Sequence, residues 1–324
     1  MPELVSVLTP CYNGEAFIGR FLDSMLAQTW RPLQVVVVDD GSTDATAGVV
    51  QGYQKHFEEE GCELTLLRQA NAGQAAALNA ALQAFTGEYV CWPDSDDVSL
   101  PTSIERRVRF LQAHPECGFV RTDGHICREG ALDRSLGRIS EGRRSRFHRR
   151  IFDDLIHRRT FVFNHCYLAR AGALRQAIPG LRIFESRSGQ NWQMLLPLAW
   201  RFACGYIDEP LCIYVRRDDS HSRAAFTLQR SLERDAGLYD ILRHTLEPLG
   251  CWARYEPCVE RSFARRALAI ALRYDDGELL RRSWRRYRRA GGWHPLALAL
   301  YLLGSTAAGR ALLLRARRLR RNRL

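Results

Sequence analysis

Apolar and polar residues alternate between two periods along the first hundred positions. Residues 4–9 form a short β-rich run that gives way to the turn-prone pair Asn13-Gly14. After it, Phe17, Ile18, Phe21, Leu22, Met25 and Leu26 recur at helical spacing. Residues 35–38 are a continuous run of Val, the pattern of a strand covered on both faces in a parallel sheet. Asp39-Asp40-Gly41-Ser42 turns the chain, and a helix can begin at Asp44, whose side chain is suited to cap it. Residues 64–67 read as a third strand, and 73–85 as an Ala-rich helix with Ala75, Leu78, Ala81, Leu82 and Phe85 on one side. A fourth strand, 89–92, ends in Pro93-Asp94-Ser95-Asp96-Asp97. A further helix starts near Pro101, a residue suited to the first turn, and runs to about Ala113.

Four strand–helix repeats predict an α/β fold: a doubly wound, mostly parallel sheet with helices on both faces. Ligands of such sheets bind beyond the carboxyl ends of the strands. The polar clusters 9–13, 39–44 and 94–97 all lie just past strand ends, so one mouth collects them. Farther along, the Arg-dense stretch 143–159 reads as a surface loop with a helix near 151–157. Residues 161–169 are strand-like, 191–201 helical and 206–215 strand-like again. From about Ala225 the pattern is helical with Arg-rich faces, which divides the chain into a body, 1–224, and a basic helical region, 225–324.

Charge sharpens that division. Residues 1–224 carry 26 basic and 27 acidic side chains, net −1, whereas 225–324 carry 21 and 9, net +12. A globally basic nucleic-acid binder is excluded; a neutral body with a basic tail remains. The ten Cys form no CxxC and no zinc-type cluster, and several interrupt apolar runs, so reduced buried thiols are expected. Met1-Pro2-Glu3 leads into a strand-like run rather than a leader, which points to a cytoplasmic location. The dense apolar part of the tail, 295–303, is too short for a membrane span of about 20 residues.

The carboxylates suggest the chemistry. Asp94 and Asp96 are two apart, so an extended segment points both the same way, and Asp97 adds a third. Carboxylates clustered at a strand end suit a hard divalent cation that also holds phosphate oxygens. The bland alternative is a solvated turn with a helix cap. In the same way Asp39 and Asp40 are either a turn or acceptors for a nucleobase N–H, with the backbone of Pro10, Cys11, Tyr12 and Asn13 lining the opposite wall. No P-loop or GxGxxG cradles a phosphate.

Taken as a series, Val5-Ser6-Val7-Leu8-Thr9-Pro10-Cys11-Tyr12-Asn13-Gly14, Gln28-Thr29-Trp30, 36–44, Asn71-Ala72-Gly73 with Asn79, and Asp94-Ser95-Asp96-Asp97 resemble the family 2 glycosyltransferases of the GT-A fold. The resemblance covers roughly residues 3–224. It implies inverting transfer of a sugar from a nucleotide-sugar, UDP being the commonest carrier, to a carbohydrate or lipid-linked hydroxyl. It further implies that Pro10, Tyr12, Asn13, Asp39 and Asp40 bind the nucleoside, and that Asn71, Gly73, Asn79, Asp94 and Ser95 lie along the nucleotide and sugar. Asp94 and Asp96 match the motif that holds Mg²⁺ or Mn²⁺ against the diphosphate, with Asp97 as the acid that follows it. Tyr214-Val215-Arg216-Arg217-Asp218-Asp219-Ser220-His221-Ser222 resembles the family's closing segment, in which His221 or Arg216 approaches the metal or diphosphate.

One departure stands out. Where many relatives place a Glu-Asp pair before a Trp as the base, this chain reads Gly189-Gln190-Asn191-Trp192. Asn191 and Gln190 can orient an acceptor by hydrogen bonds but take no proton. Glu185 is the nearest upstream carboxylate, with Asp208, Glu209, Asp218 and Asp219 farther on. A non-catalytic nucleotide-sugar-binding relative is therefore a second reading. The tail supplies a third. Residues 281–324 interleave Arg with Trp, Tyr and Leu, which suits the anionic inner face of a cytoplasmic membrane better than nucleic acid, with a plain solvated helical face as the bland alternative.

Overall fold

A computed structural model describes residues 2–187, 189–217, 227–306 and 308–310. The chain forms two compact units, Met1–Arg223 and Ala224–Leu324. In the first, β1 (Val5–Cys11), α1 (Ile18–Leu26), β2 (Leu33–Asp39), α2 (Thr46–Glu59), β3 (Glu63–Arg68), α3 (Gln74–Ala84) and β4 (Tyr89–Cys91) follow the expected alternation. Then come β5 (Val98–Ser99), α4 (Ser103–Ala113), β6 (Cys117–Arg128), β7 (Ala131–Arg138), α5 (Phe152–Ile156), β8 (Tyr167–Arg170), α6 (Ala171–Ala177), α7 (Asn191–Arg201) and β9 (Ala203–Arg216).

All seven residues of β1 and of β2 are buried, as an unbroken apolar run requires when helices cover both faces of a sheet. Val5, Val7, Val35 and Val37 pack with Phe21 and Leu22 of α1, Val50 of α2 and Ile104 and Val108 of α4. The Ala-rich helix α3 lies along β1 and β2, and it buries Ala75, Leu78, Ala81 and Leu82.

Strand order is β3-β2-β1-β4-β8-β6-β9-β5, with β7 paired to β6. The parallel character foreseen from the Val run belongs to β3-β2-β1-β4. Past β4 the sheet is mixed: β8 runs antiparallel to both β4 and β6, β9 parallel to β6, and β5 antiparallel to β9. Within the expected strand 161–169 only Tyr167 onward pairs in the sheet, because residues Asn164–Cys166 form a 3-10 turn.

The second unit holds α8 (Leu228–Leu246), α9 (Trp252–Arg273), α10 (Gly277–Arg289) and α11 (Pro295–Gly304). Thr227 caps α8 by accepting from the Arg230 N–H, and Asp276 caps α10 through Leu279 N–H at 2.8 Å. Ala264, Leu268 and Leu272 of α9, Leu280 and Tyr287 of α10, and Ala297 of α11 share one small core. No described helix is long and apolar enough to cross a membrane.

Candidate active site at the strand ends

The mouth is built by loops that hold one another through side-chain-to-backbone bonds. Asn13, at φ 48°, donates its N–H to Ser42 Oγ and accepts from Thr43 N–H, both at 2.9 Å. Two residues on, Glu15 N–H donates to Asp44 and Ala45 N–H donates back to Glu15. Asp44 also accepts from Thr46 N–H, but α2 begins one residue later than expected, so its N-cap is Ala45 and Asp44 stands just before it. Thr9 Oγ1 donates to Pro93 O, which ties the end of β1 to the acidic turn. Pro10 is buried and Tyr12 is 43% exposed, so of this pair the tyrosine is the one open to solvent.

Asp39 and Asp40 are both buried and both engaged. Asp39 accepts from Ser42 N–H, which shapes the Asp-Gly-Ser turn, and pairs with Arg68 at 3.2 Å. Asp40 accepts from Gln69 Nε2, Ala72 N–H and Gly73 N–H at 2.7–2.9 Å. That three-bond anchor hangs the 69–73 loop from β2. Arg187 crosses to the same loop and donates to Asn71 Oδ1 and O.

Past β4, Asp94 is half-buried, and Asn164 Nδ2 donates to its Oδ1 at 3.4 Å. Removal from water pushes its carboxyl up to about 7, with the charge of Asp96 adding to the rise. Asp96 faces Arg217 at 3.4 Å, while its backbone carbonyl accepts from Arg20. Arg217 in turn lies over the Phe17 ring at 4.3 Å. Ser95 is buried beside Cys11. Asp97 is 2% exposed and accepts from Val215 N–H at 2.9 Å, so it pins the acidic turn to β9. Burial and the two neighbouring aspartates hold its carboxyl well above the usual carboxylate range.

The structure therefore brings Asp94, Asp96 and Asp97 onto one turn and joins Asn191 to it: Asn164 Nδ2 also donates to Asn191 Oδ1 at 2.9 Å, and Asn191 donates to Val162 O. Two other expected site residues gather beside the 69–73 loop. Asn79 is buried and pairs reciprocally with the backbone of Ile183, at 2.9 Å each way. It also donates to Glu185 at 3.3 Å. Glu185 thus sits on the flank of α3, lining a cavity of about 340 Å³ with Gln69, Asn79, Gln83 and Arg182. Arg216 is exposed, and its neighbour Arg217 is the residue that reaches Asp96. His221, Asp218 and Asp219 lie outside the described residues.

Sequence reasoning missed Asn164, Arg20 and Arg217. Arg217 had a signal: an extended segment alternates sides, so it faces the way Arg216 does not. Asn164 Oδ1 and Gln190 Oε1 are buried without a hydrogen-bond partner among the described residues, leaving two acceptors at this corner of the site.

Among the described residues no group of three or more His, Cys, Asp or Glu is arranged to cage a metal. The donor set fits a different kind of cation. Asp96 is close enough to disfavour the charge of Asp94, and two carboxylates completed by substrate phosphates and water are a usual Mg²⁺ environment.

Residues 6–177, more than half of the chain, match the pattern of Glycosyl transferase family 2. The chain belongs to that family. An uncharacterized glycosyltransferase of Rickettsia prowazekii is 35% identical over 108 residues, which cover 33% of this chain and 32% of that one. The matched segment thus spans about a third of such a relative's length. Among solved folds, S. aureus TarS 1–349 in complex with UDP-GlcNAc is similar over 93% of this chain and 90% of its own, at 17% identity and TM-score 0.58. A mannosyltransferase from Pyrobaculum calidifontis in complex with GDP-Man and Mn²⁺ is similar over 98% and 88%, at 18% identity and TM-score 0.55. These likenesses give the family 2 chain its GT-A architecture.

Proposed function

We propose that this chain transfers a sugar, with inversion, from a nucleotide-sugar (UDP-linked by preference) to a hydroxyl of a polysaccharide or glycolipid acceptor. The observation that carries the reading is the Asp94/Asp96 pair at the end of β4, in a mouth whose other walls are the 10–15 and 39–46 segments. Tyr12 and the Asp39–Asp40 turn form the nucleoside wall. Asp94 and Asp96 are the residues that would hold Mg²⁺ or Mn²⁺, which when bound supplies positive charge to the departing diphosphate. Arg217, beside Asp96, is placed to add a second cation there.

In a panel of UDP- and GDP-sugars with Mn²⁺, one donor should release its nucleoside diphosphate. Asp96→Ala should abolish that release while the melting curve keeps its shape; full turnover in the variant contradicts the metal role. Proton transfer has a separate test. Glu185 is the carboxylate nearest in the chain to the missing base, and Glu185→Gln should lower kcat about a hundredfold or more if it takes the acceptor's proton. An unchanged kcat leaves it the structural partner of Asn79.

A second reading, a donor-binding protein without turnover, is favoured by the amides. Asn164 bonds to both Asp94 and Asn191, so an amide stands where the family's base would be reached. Tight donor binding with no diphosphate release, whatever the acceptor, would decide for it.

A further inference from the structure

Half of the large apolar side chains that stand exposed in the described structure fall within eleven residues of the second unit. They are Trp293, 67% exposed, Leu296 at 61%, Leu302 at 58% and Leu303 at 45%. On α11, Leu296, Ala299, Leu302 and Leu303 share one face, spaced i, i+3, i+6 and i+7, and all four are exposed. The opposite side of the helix carries Ala297, Leu300, Tyr301 and Gly304. Ala297 belongs to the small core, and Leu300 and Tyr301 pack against it.

Helix α10 shows the same division with charge in place of apolar surface. Leu280, Ser283 and Tyr287 are its buried face. Arg281, Arg282, Arg285 and Arg289 are exposed on the other side and make no ion pair among the described residues. Glu278, in the first turn, is the one acid of the helix. Arg286 is different: it is spoken for by Glu260, at 2.7 and 2.9 Å.

The two helices are fixed to each other. Trp284 stacks on Tyr301 with centroids 4.7 Å apart, and Arg288 donates to Gly292 O across the connecting turn. That turn sets the exposed Trp293 between the Arg-bearing end of α10 and the first turn of α11. Both helices turn their buried sides to one core, so the Arg row and the apolar row both look outward.

We infer that the outward faces of α10 and α11, joined by Trp293, form a surface that seats on an anionic lipid bilayer. Free guanidinium groups match lipid phosphates, and each basic side chain near such a surface adds to the attraction. Trp is favoured at the level of the headgroups, and exposed Leu enters the acyl boundary. A nucleic-acid partner matches this surface less well, because its large exposed apolar side chains are three Leu and one Trp rather than a series of stacking aromatics. The inference stands apart from the glycosyl-transfer reading.

The test is co-sedimentation of the full chain with phosphatidylcholine vesicles, with and without about a third phosphatidylglycerol. Wild type should pellet with the anionic vesicles and not the neutral ones, and should release as salt rises to about 0.5 M. Arg281→Glu/Arg285→Glu/Arg289→Glu should weaken partitioning by about a hundredfold or more. Trp293→Glu/Leu296→Glu should do likewise. All five side chains are exposed, so both variants should keep the wild-type circular dichroism and Tm. A chain ending at residue 310 should still pellet. Failure of wild type to bind, or wild-type binding by both variants, overturns the inference. So does loss of binding in the shortened chain alone, or a Trp293→Glu/Leu296→Glu variant that changes oligomeric state and not partitioning.

Discussion

At Asp94, a single carboxyl links the proton, the cation and the stability of the fold. Its folded value, about 7, lies above its ordinary 3.8, so the folded chain holds a proton there that the unfolded chain has already lost. Stability is therefore undiminished below about pH 4 and falls as pH rises toward 7. Asp94→Asn removes the penalty. In EDTA the variant should exceed wild type by on the order of 2 kcal/mol at pH 8, a figure discounted for the group's partial exposure, with no gain near pH 3.5. Thermal unfolding across that range checks this, and a pH-independent difference contradicts it. Metal binding has the opposite sign. Because a ligating carboxyl must lose its proton, Mn²⁺ affinity of wild type should climb about tenfold per pH unit below 7 and level off above.

Among the elements, those legible from the sequence are those whose burial is uniform. The Val run of β2 and the i, i+3, i+4 pattern of α1 state their surroundings directly, so β1 to β4 and α4 could be placed with their loops at one end of the sheet, whereas the two-residue β5 is too short to show a period. Strand β6 could not. Its Cys-Gly-Phe-Val-Arg-Thr-Asp-Gly sequence looks polar and broken, yet it is buried, because Arg121 donates to the carbonyls of Ser145 and Arg146 and Asp123 pairs with Ser140 and Arg138. Those partners come from a loop some twenty residues on, and no local period announces them. The acidic turn was legible for the opposite reason: its residues are contiguous. Asn164 and Arg20, about 70 residues away in either direction, were not.

The loops also carry a prediction of their own. Gly41 sits at φ 75°, and a side chain there would bring its Cβ within 2.7 Å of the Asn71 backbone nitrogen. Gly41→Ala should cost about 2–3 kcal/mol by combining left-handed strain with that backbone contact. Through Asp40 and the 69–73 loop, it should also weaken donor binding. Denaturant unfolding and donor titration together check both effects, whereas a neutral variant would mean that the two loops move independently.

At the scale of the whole molecule, the two units answer different questions. The first carries the family 2 pattern and the strand-end mouth. The second carries the excess positive charge and the bare apolar face. A chain of this kind has a division of labour to test, and donor capture is the part that belongs to the first unit. The most direct measurement is calorimetric titration of wild type and Asp96→Ala with UDP, GDP and their sugars, in Mn²⁺ and again in EDTA. The predicted result is saturable binding of one nucleotide by wild type with Mn²⁺, lost in EDTA and lost in the variant. Absence of binding by any nucleotide in Mn²⁺, or equal binding with and without the cation, would contradict a metal-assisted donor site.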